Sequence, residues 1–130
     1  MKLGGHDLPS ETCRAVGDIL GQVGNKWSIL VMVLLNQRPR CFNDLRRDVT
    51  VITQKVLTST LRGLERDGFV KRVVLPDSLG HVEYSLTALG GDVLIPMNAL
   101  ATFALTRRED IEAARHQYDH ATCIARGIRR

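Results

Sequence analysis

TQKVLTSTLRGLERDGF, residues Thr53 to Phe69, reads as a helix with two unlike faces. At about 100° per residue, Leu57, Leu61 and Leu64 fall in one narrow arc and form a core-facing stripe. Lys55, Ser59, Arg62 and Arg66 lie on the opposite side, with Thr58 at its edge. This outer face is basic and short-chained and carries no large apolar residue. A solvated surface would look the same, so the face takes its meaning from what flanks it.

Upstream, Thr53 is the expected N-cap, and Asp67-Gly68 ends the helix through glycine's access to positive φ. Before it, Cys41 and Phe42 suit a very short strand, and Asn43 caps a brief helix, NDLRRDV. Arg38-Pro39-Arg40 stops an earlier helix that starts at Lys26 and runs to about Asn36. That helix carries the run WSILVMVLL, apolar nearly all round, and should be the central core helix with Trp27 its largest residue. Gly24 and Asn25 separate it from a first helix, Ser10 to about Val23, with Ser10 as N-cap and Val16, Ile19, Leu20 and Val23 on one face. Met1 to Pro9, with two glycines and a proline, is expected to be flexible.

Downstream, the pattern changes to strand. FVKRVVLP, a turn at DSLGH, then VEYSL are β-branched and aromatic runs around a glycine, which predicts a hairpin. A last long helix follows from Thr87, with apolar positions at Leu89, Val93, Met97, Leu100, Phe103 and Ala104 and a strained turn or kink at Pro96. Beyond Glu109 the chain turns polar, and HATCIARGIRR should be a loose basic tail.

The order is therefore helix, helix, short strand, helix, helix, strand, turn, strand, helix. A short helix, a tight connection and an amphipathic helix make a helix-turn-helix, and the hairpin after it is the wing. The predicted fold class is mainly α with a small β-hairpin (α+β), a winged helix-turn-helix. In that architecture the second helix lies in the major groove, and short Thr58 and Ser59 let its backbone approach a duplex.

Totals agree with this frame. The 130 residues fit one domain, 44% of them apolar. No long apolar run suggests a membrane span, and the N-terminus lacks the apolar segment of a secretory signal. A net charge of +4 permits an anionic partner without requiring one. Cys13, Cys41 and Cys123 are widely spread with no C-x-x-C pair, which argues against a disulfide scaffold or cysteine zinc site and for a cytoplasmic setting. His116 and His120 are one helical turn apart, but no third ligand is evident, so no metal or cofactor is expected.

NKWSILVMVLL, RCFNDLRRDV, ITQKVLTSTLRGLERDGFVKR and HVEYSLTALG, in this order and spacing, closely resemble the HxlR-type branch of MarR-like winged-helix transcription regulators. The likeness runs from about Cys13 to Phe103. With the flexible segment over 1–9 and the basic tail over 119–130 read from their composition, the winged-helix domain is expected over residues 10–118. The resemblance implies a homodimer, joined through its first and last helices, on a roughly palindromic operator in double-stranded DNA. The chain departs from the family pattern twice. Ser78-Leu79-Gly80-His81 stands where relatives often have two wing prolines, with Asp77 and His81 in place of an arginine. Arg14 follows Cys13 where relatives commonly have proline.

The groove-facing set is Gln54, Lys55, Thr58, Ser59 and Arg62: glutamine pairs with adenine, and lysine or arginine reaches guanine. Arg66 lies near the end of the same helix beside Glu65. Arg46 and Arg47 are phosphate neighbours or solvated. Strand alternation sends Lys71 and Arg72 to opposite faces, so at most one of them should meet DNA directly; Arg72 and His81 are the wing candidates. With Ser10 as N-cap, Cys13 falls at the third helical position. There the unpaired amides and Arg14 favour a thiolate, while Glu11 and Asp18 oppose it. Relatives with cysteine here are in several cases thiol-based sensors, so the resemblance makes Cys13 a redox-sensing candidate for an oxidant or electrophile; a small residue packed at the dimer interface is the plain alternative. A small-molecule effector between dimer helices is a further possible partner on which the sequence is silent. Cys41, beside Phe42, reads as a core thiol, and Cys123 as an exposed tail thiol. The competing function is a winged-helix protein-interaction module that does not bind DNA. An enzyme is not expected, since no histidine stands beside a cysteine in sequence and no Ser-His-Asp order or phosphate loop occurs.

Overall fold

The computed structural model describes residues 2–76, 80–125 and 127. Wing-tip residues Asp77, Ser78 and Leu79 lie outside the described residues, as do Arg126 and residues 128–130 of the tail. Two compact units are resolved, Met1–Asn98 and Ala99–Arg130.

Helix α4, Gln54–Arg66, forms as the opening stretch predicts. The Val56 amide donates to Thr53 Oγ1 at 3.2 Å, which satisfies one of the free N–H groups of the first turn. At the other end Gly68 takes φ +82°. Leu57, Leu61 and Leu64 are buried, each worth roughly 2 kcal/mol. They pack in one core with Val31, Met32 and Leu35 of helix α2, Lys26–Gln37, and with Leu45 of helix α3, Phe42–Asp48. Helix α2 is capped by Asn25, whose Oδ1 accepts from the Trp27 amide at 2.9 Å. Its Trp27 is only half-buried, under the Lys26 ammonium 4.7 Å from the ring centre.

Three further expectations shift. The short strand β3 is Arg40–Cys41, one residue earlier than predicted, so Phe42 opens α3 and Cys41, not Asn43, is its N-cap. Arg40 fixes this register: it is buried, ion-paired with Asp48, and donates to the Leu34 carbonyl at 3.1 Å and to Gln37 Oε1 at 2.7 Å. Strands β4, Val70–Val74, and β5, Val82–Leu86, make the hairpin, and β3 adds to its β5 edge, giving a three-stranded antiparallel sheet in the order β3-β5-β4. Tyr84 thus stands between Arg40 on one side and Arg72 on the other. Near the N-terminus, where flexibility is expected, strands β1, Lys2–Leu3, and β2, His6–Asp7, pair across Gly4 and Gly5, both at positive φ. A two-glycine turn between pairing residues is a hairpin signal in its own right.

Helix α1, Ser10–Val23, has no buried residue: Val16 and Val23 are half-buried, while Ile19 and Leu20 are 48% and 57% exposed. Helix α5, Ala88–Thr106, is capped by Thr87, whose hydroxyl accepts from the Gly90 amide at 3.0 Å and donates to the Gly68 carbonyl at 2.6 Å. A Cβ on Gly90 would lie 2.1 Å from the Phe69 carbonyl oxygen, so only glycine allows this approach. The close contact turns Gly90, Leu94 and Met97 inward, and Leu89, Leu100 and Phe103 of the expected stripe stay more than half exposed. Although α5 is long and apolar enough to cross a membrane by composition, those buried residues make its first half a core helix. Pro96 sits inside the continuous helix. Helix α6, Arg108–Ala125, replaces the first part of the expected loose tail. Arg108 and Glu112 face each other across one of its turns at 3.6 Å.

Candidate nucleic-acid interface

Gln54, Lys55, Thr58, Ser59 and Arg62 come together as predicted from their spacing, lining one open cleft of about 610 Å³ on the outer face of α4. All are exposed except half-buried Thr58. Among the described residues neither Lys55 nor Arg62 has an ion-pair partner. Arg46 reaches this surface from α3, its Nη1 donating to Gln54 Oε1 at 3.4 Å. Arg47 is instead ion-paired within α3 to Asp44. A hydrogen bond from the Cys41 side chain, with Arg47 and Arg38 nearby, holds the Asp44 carboxyl below its ordinary range against a smaller desolvation effect.

Arg66 does not join the five. It lines a separate cleft of about 290 Å³ with Asp18, Ile19 and Gln22 of α1 and with Gly63 and Asp67. Arg72 lines a third, of about 340 Å³, between α4 and the sheet, with Phe42, Thr58, Arg62, Glu65 and Tyr84. His81 is exposed at the start of the second wing strand, its carbonyl accepting from the Leu75 amide at 2.7 Å.

Two residues with no sequence expectation enter here. Tyr84 reads in sequence as one more aromatic strand residue, yet it lines one cleft with Arg62 and Arg72. Burial raises its phenol above the ordinary value, Glu65 adds to that, and Arg72 and Arg62 pull it back. The hydroxyl therefore stays a proton donor at neutral pH. Gln22 is the other. Its side chain rests on α4 where Gly63 leaves room, within 2.7 Å of where a Cβ would stand, and Nε2 donates to Ser28 Oγ at 3.4 Å. A glycine inside a strongly patterned helix costs about 1 kcal/mol relative to alanine, and that cost was the available clue to a close neighbour.

The thiols differ from expectation. Pro9, not Ser10, is the N-cap of α1, so Cys13 sits one position deeper, its amide donating to the Pro9 carbonyl at 3.0 Å. The sulfur is half-buried and 3.8 Å from the Leu8 carbonyl oxygen. Cys123 is likewise half-buried, in α6 rather than in a loose tail. Cys41 is half-buried at the head of α3. His116 and His120 are exposed on α6, and no group of three metal-ligating side chains occurs among the described residues.

A helix-turn-helix with an adjoining wing, and cations along the second helix that have no ion-pair partner among the described residues, is the arrangement of a duplex reader. Comparison with known proteins agrees. The model of the HxlR-like helix-turn-helix family matches residues 22–111. The HTH-type transcriptional regulator YtfH of Escherichia coli is 36% identical over 111 residues, 85% of this chain and 87% of its own. Among solved structures, the transcriptional regulator YtfH from Salmonella typhimurium superposes with a TM-score of 0.70 at 37% identity, covering 78% of this chain and 90% of that one. The redox regulator HypR in its reduced form gives 0.69 at 32% identity, covering 76% and 98%. The chain belongs to the HxlR-like helix-turn-helix family and is a transcriptional regulator with a helix-turn-helix DNA-binding domain.

Proposed function

We propose that the protein acts in the cytoplasm as a homodimer that reads a palindromic operator through Gln54, Lys55, Thr58, Ser59 and Arg62, and that modification of Cys13 alters that binding. The observation that carries the reading is the single cleft formed by those five side chains on α4, with both cations free of ion-pair partners among the described residues. Selection of bound sites from random-sequence duplex tests it. An inverted repeat with half-sites about one helical turn apart is expected; enrichment of a single unpaired half-site, or of nothing, contradicts it.

Support for the dimer comes from apolar surface left uncovered in one copy. Ile19 and Leu20 on α1, and Leu100, Phe103 and Leu105 on α5, are 48–73% exposed. Sedimentation of the wild type is expected to give a dimer at micromolar concentration. Leu100→Glu should give a folded monomer that binds the selected duplex at least about 10-fold more weakly, since each half-site is then held alone.

For the switch, α1 carries both the thiol and the contact to the recognition helix. Cys13 is near its start, and Gln22, near its end, rests on Gly63 of α4. A shift of α1 favoured by thiol modification would be felt at α4 through that seat, which is the differential contact such coupling needs. The HypR relative is itself a redox regulator. Cys13→Ser should keep full binding to the selected duplex while losing its sensitivity to diamide or a quinone. An unchanged response in that variant removes Cys13 from the mechanism.

A further inference from the structure

The cleft between α4 and the sheet has a composition that neither packing nor base reading explains. It is lined by two guanidiniums, Arg62 and Arg72, two hydroxyl-bearing side chains, Thr58 and Tyr84, a single carboxylate, Glu65, and the ring of Phe42. Two positive charges against one negative leave it cationic. Among the described residues, no hydrogen bond or ion pair ties down either guanidinium or the Tyr84 hydroxyl. Unpaired donors converging on a cleft of about 340 Å³ describe a seat for an oxyanion.

Position says which one. Thr58 and Arg62 belong both to this cleft and to the groove-facing cleft of α4, so the two open side by side. With α4 in a major groove and the β4–β5 hairpin over the neighbouring minor groove, one sugar-phosphate strand must pass between them, because a backbone strand is what divides the two grooves. The residues between helix and hairpin are those of this cleft. We propose that it is a phosphate seat for the operator backbone, in which Arg62, Arg72 and the hydroxyls of Tyr84 and Thr58 hold one phosphate per half-site and set the register of α4 in the groove. The proposal rests on the DNA-reading role given above. Glu65 has a part in it: in the free protein its carboxylate lies among the guanidiniums and limits their mutual repulsion, and on binding it opposes the phosphate. Tyr84 and Arg72 are therefore positioning residues that fix where α4 sits, without reading sequence.

The test uses the full chain and a duplex selected from a random pool by the wild type, with neutral methylphosphonate linkages placed singly along each strand. Tyr84→Phe keeps the ring and should leave thermal unfolding unchanged while weakening binding at least about 10-fold, the loss of one hydrogen bond to a charged group. Arg72→Gln should weaken it about 10-fold and lower the salt slope by about one, with the same sequences still selected. Glu65→Gln should tighten it. At one linkage per half-site the methylphosphonate should weaken the wild type and remove most of the effect of both Tyr84→Phe and Arg72→Gln. If both variants bind as the wild type does, or their losses add to the methylphosphonate loss at every linkage, the phosphate seat is wrong although duplex reading stands. If inorganic phosphate binds the wild type but not Arg72→Gln, and saturating it at constant ionic strength leaves duplex affinity unchanged, the cleft belongs to a free anion and the proposal is overturned. No duplex binding by the wild type would overturn both.

Discussion

Gly90→Ala is expected to lower the unfolding free energy by about 3 kcal/mol, at the upper end of the usual cost of overpacking, or to prevent folding outright. The added methyl would stand 2.1 Å from the carbonyl oxygen of Phe69. That oxygen cannot turn aside, because it accepts the Thr87 amide at 3.1 Å and belongs to the backbone that leads α4 into β4. Helix α5 would have to lift off, uncovering Leu94 and Met97. The neighbouring glycine is the control. A Cβ on Gly91 meets nothing within 4 Å, so Gly91→Ala should stabilise the protein by up to about 1 kcal/mol through helix propensity alone. Equilibrium unfolding in urea of the two variants reads the contrast directly. Equal midpoints would mean that α5 does not approach the α4–β4 junction as described.

Replacing Lys55 and Arg62 together by glutamine should weaken binding to the selected duplex by about 100-fold or more at moderate salt, and reduce the salt slope by about two. Each charge lies on the exposed face of α4 without an ion-pair partner among the described residues, so removing it orphans nothing within the protein. The variant should therefore unfold at the wild-type temperature. Fluorescence anisotropy at several salt concentrations, with a melt alongside, separates lost contact from lost fold. Arg66→Gln should act differently: that side chain lines the cleft beside α1, so little loss of duplex affinity is expected.

The sequence was most legible where one periodicity was unopposed. Leu57, Leu61 and Leu64 against Lys55, Ser59 and Arg62 settle both faces of α4, and the Thr53 cap and Gly68 exit settle its length. The wing strands followed from β-branching around a turn. Less legible was everything set by an approach between distant segments. The apolar positions of α5 fit more than one face, and the inward one was chosen by Gly90 meeting Phe69 rather than by hydrophobicity. Arg40 looks in sequence like part of a helix stop. Its burial depends on Asp48, Gln37 and the Leu34 carbonyl converging, which no local pattern records. Ser10 is the better capping side chain, yet Pro9 takes the cap position of α1 and Ser10 enters the helix. Tyr84 escaped notice because its strand pattern accounts for it completely. The register of the β4–β5 pair is what brings Arg72 to its side.

Operator reading as proposed requires that the uncovered side of α4 enter a duplex groove and neutralise phosphates along its rim. The affinity of the unmodified protein for its selected duplex, followed from low to moderate salt, tests this most directly. A straight fall of log affinity against log salt, steep enough for several released counterions and shallower in the Lys55→Gln, Arg62→Gln double variant, is the predicted result. Affinity indifferent to salt, or a slope the double variant leaves untouched, would contradict it.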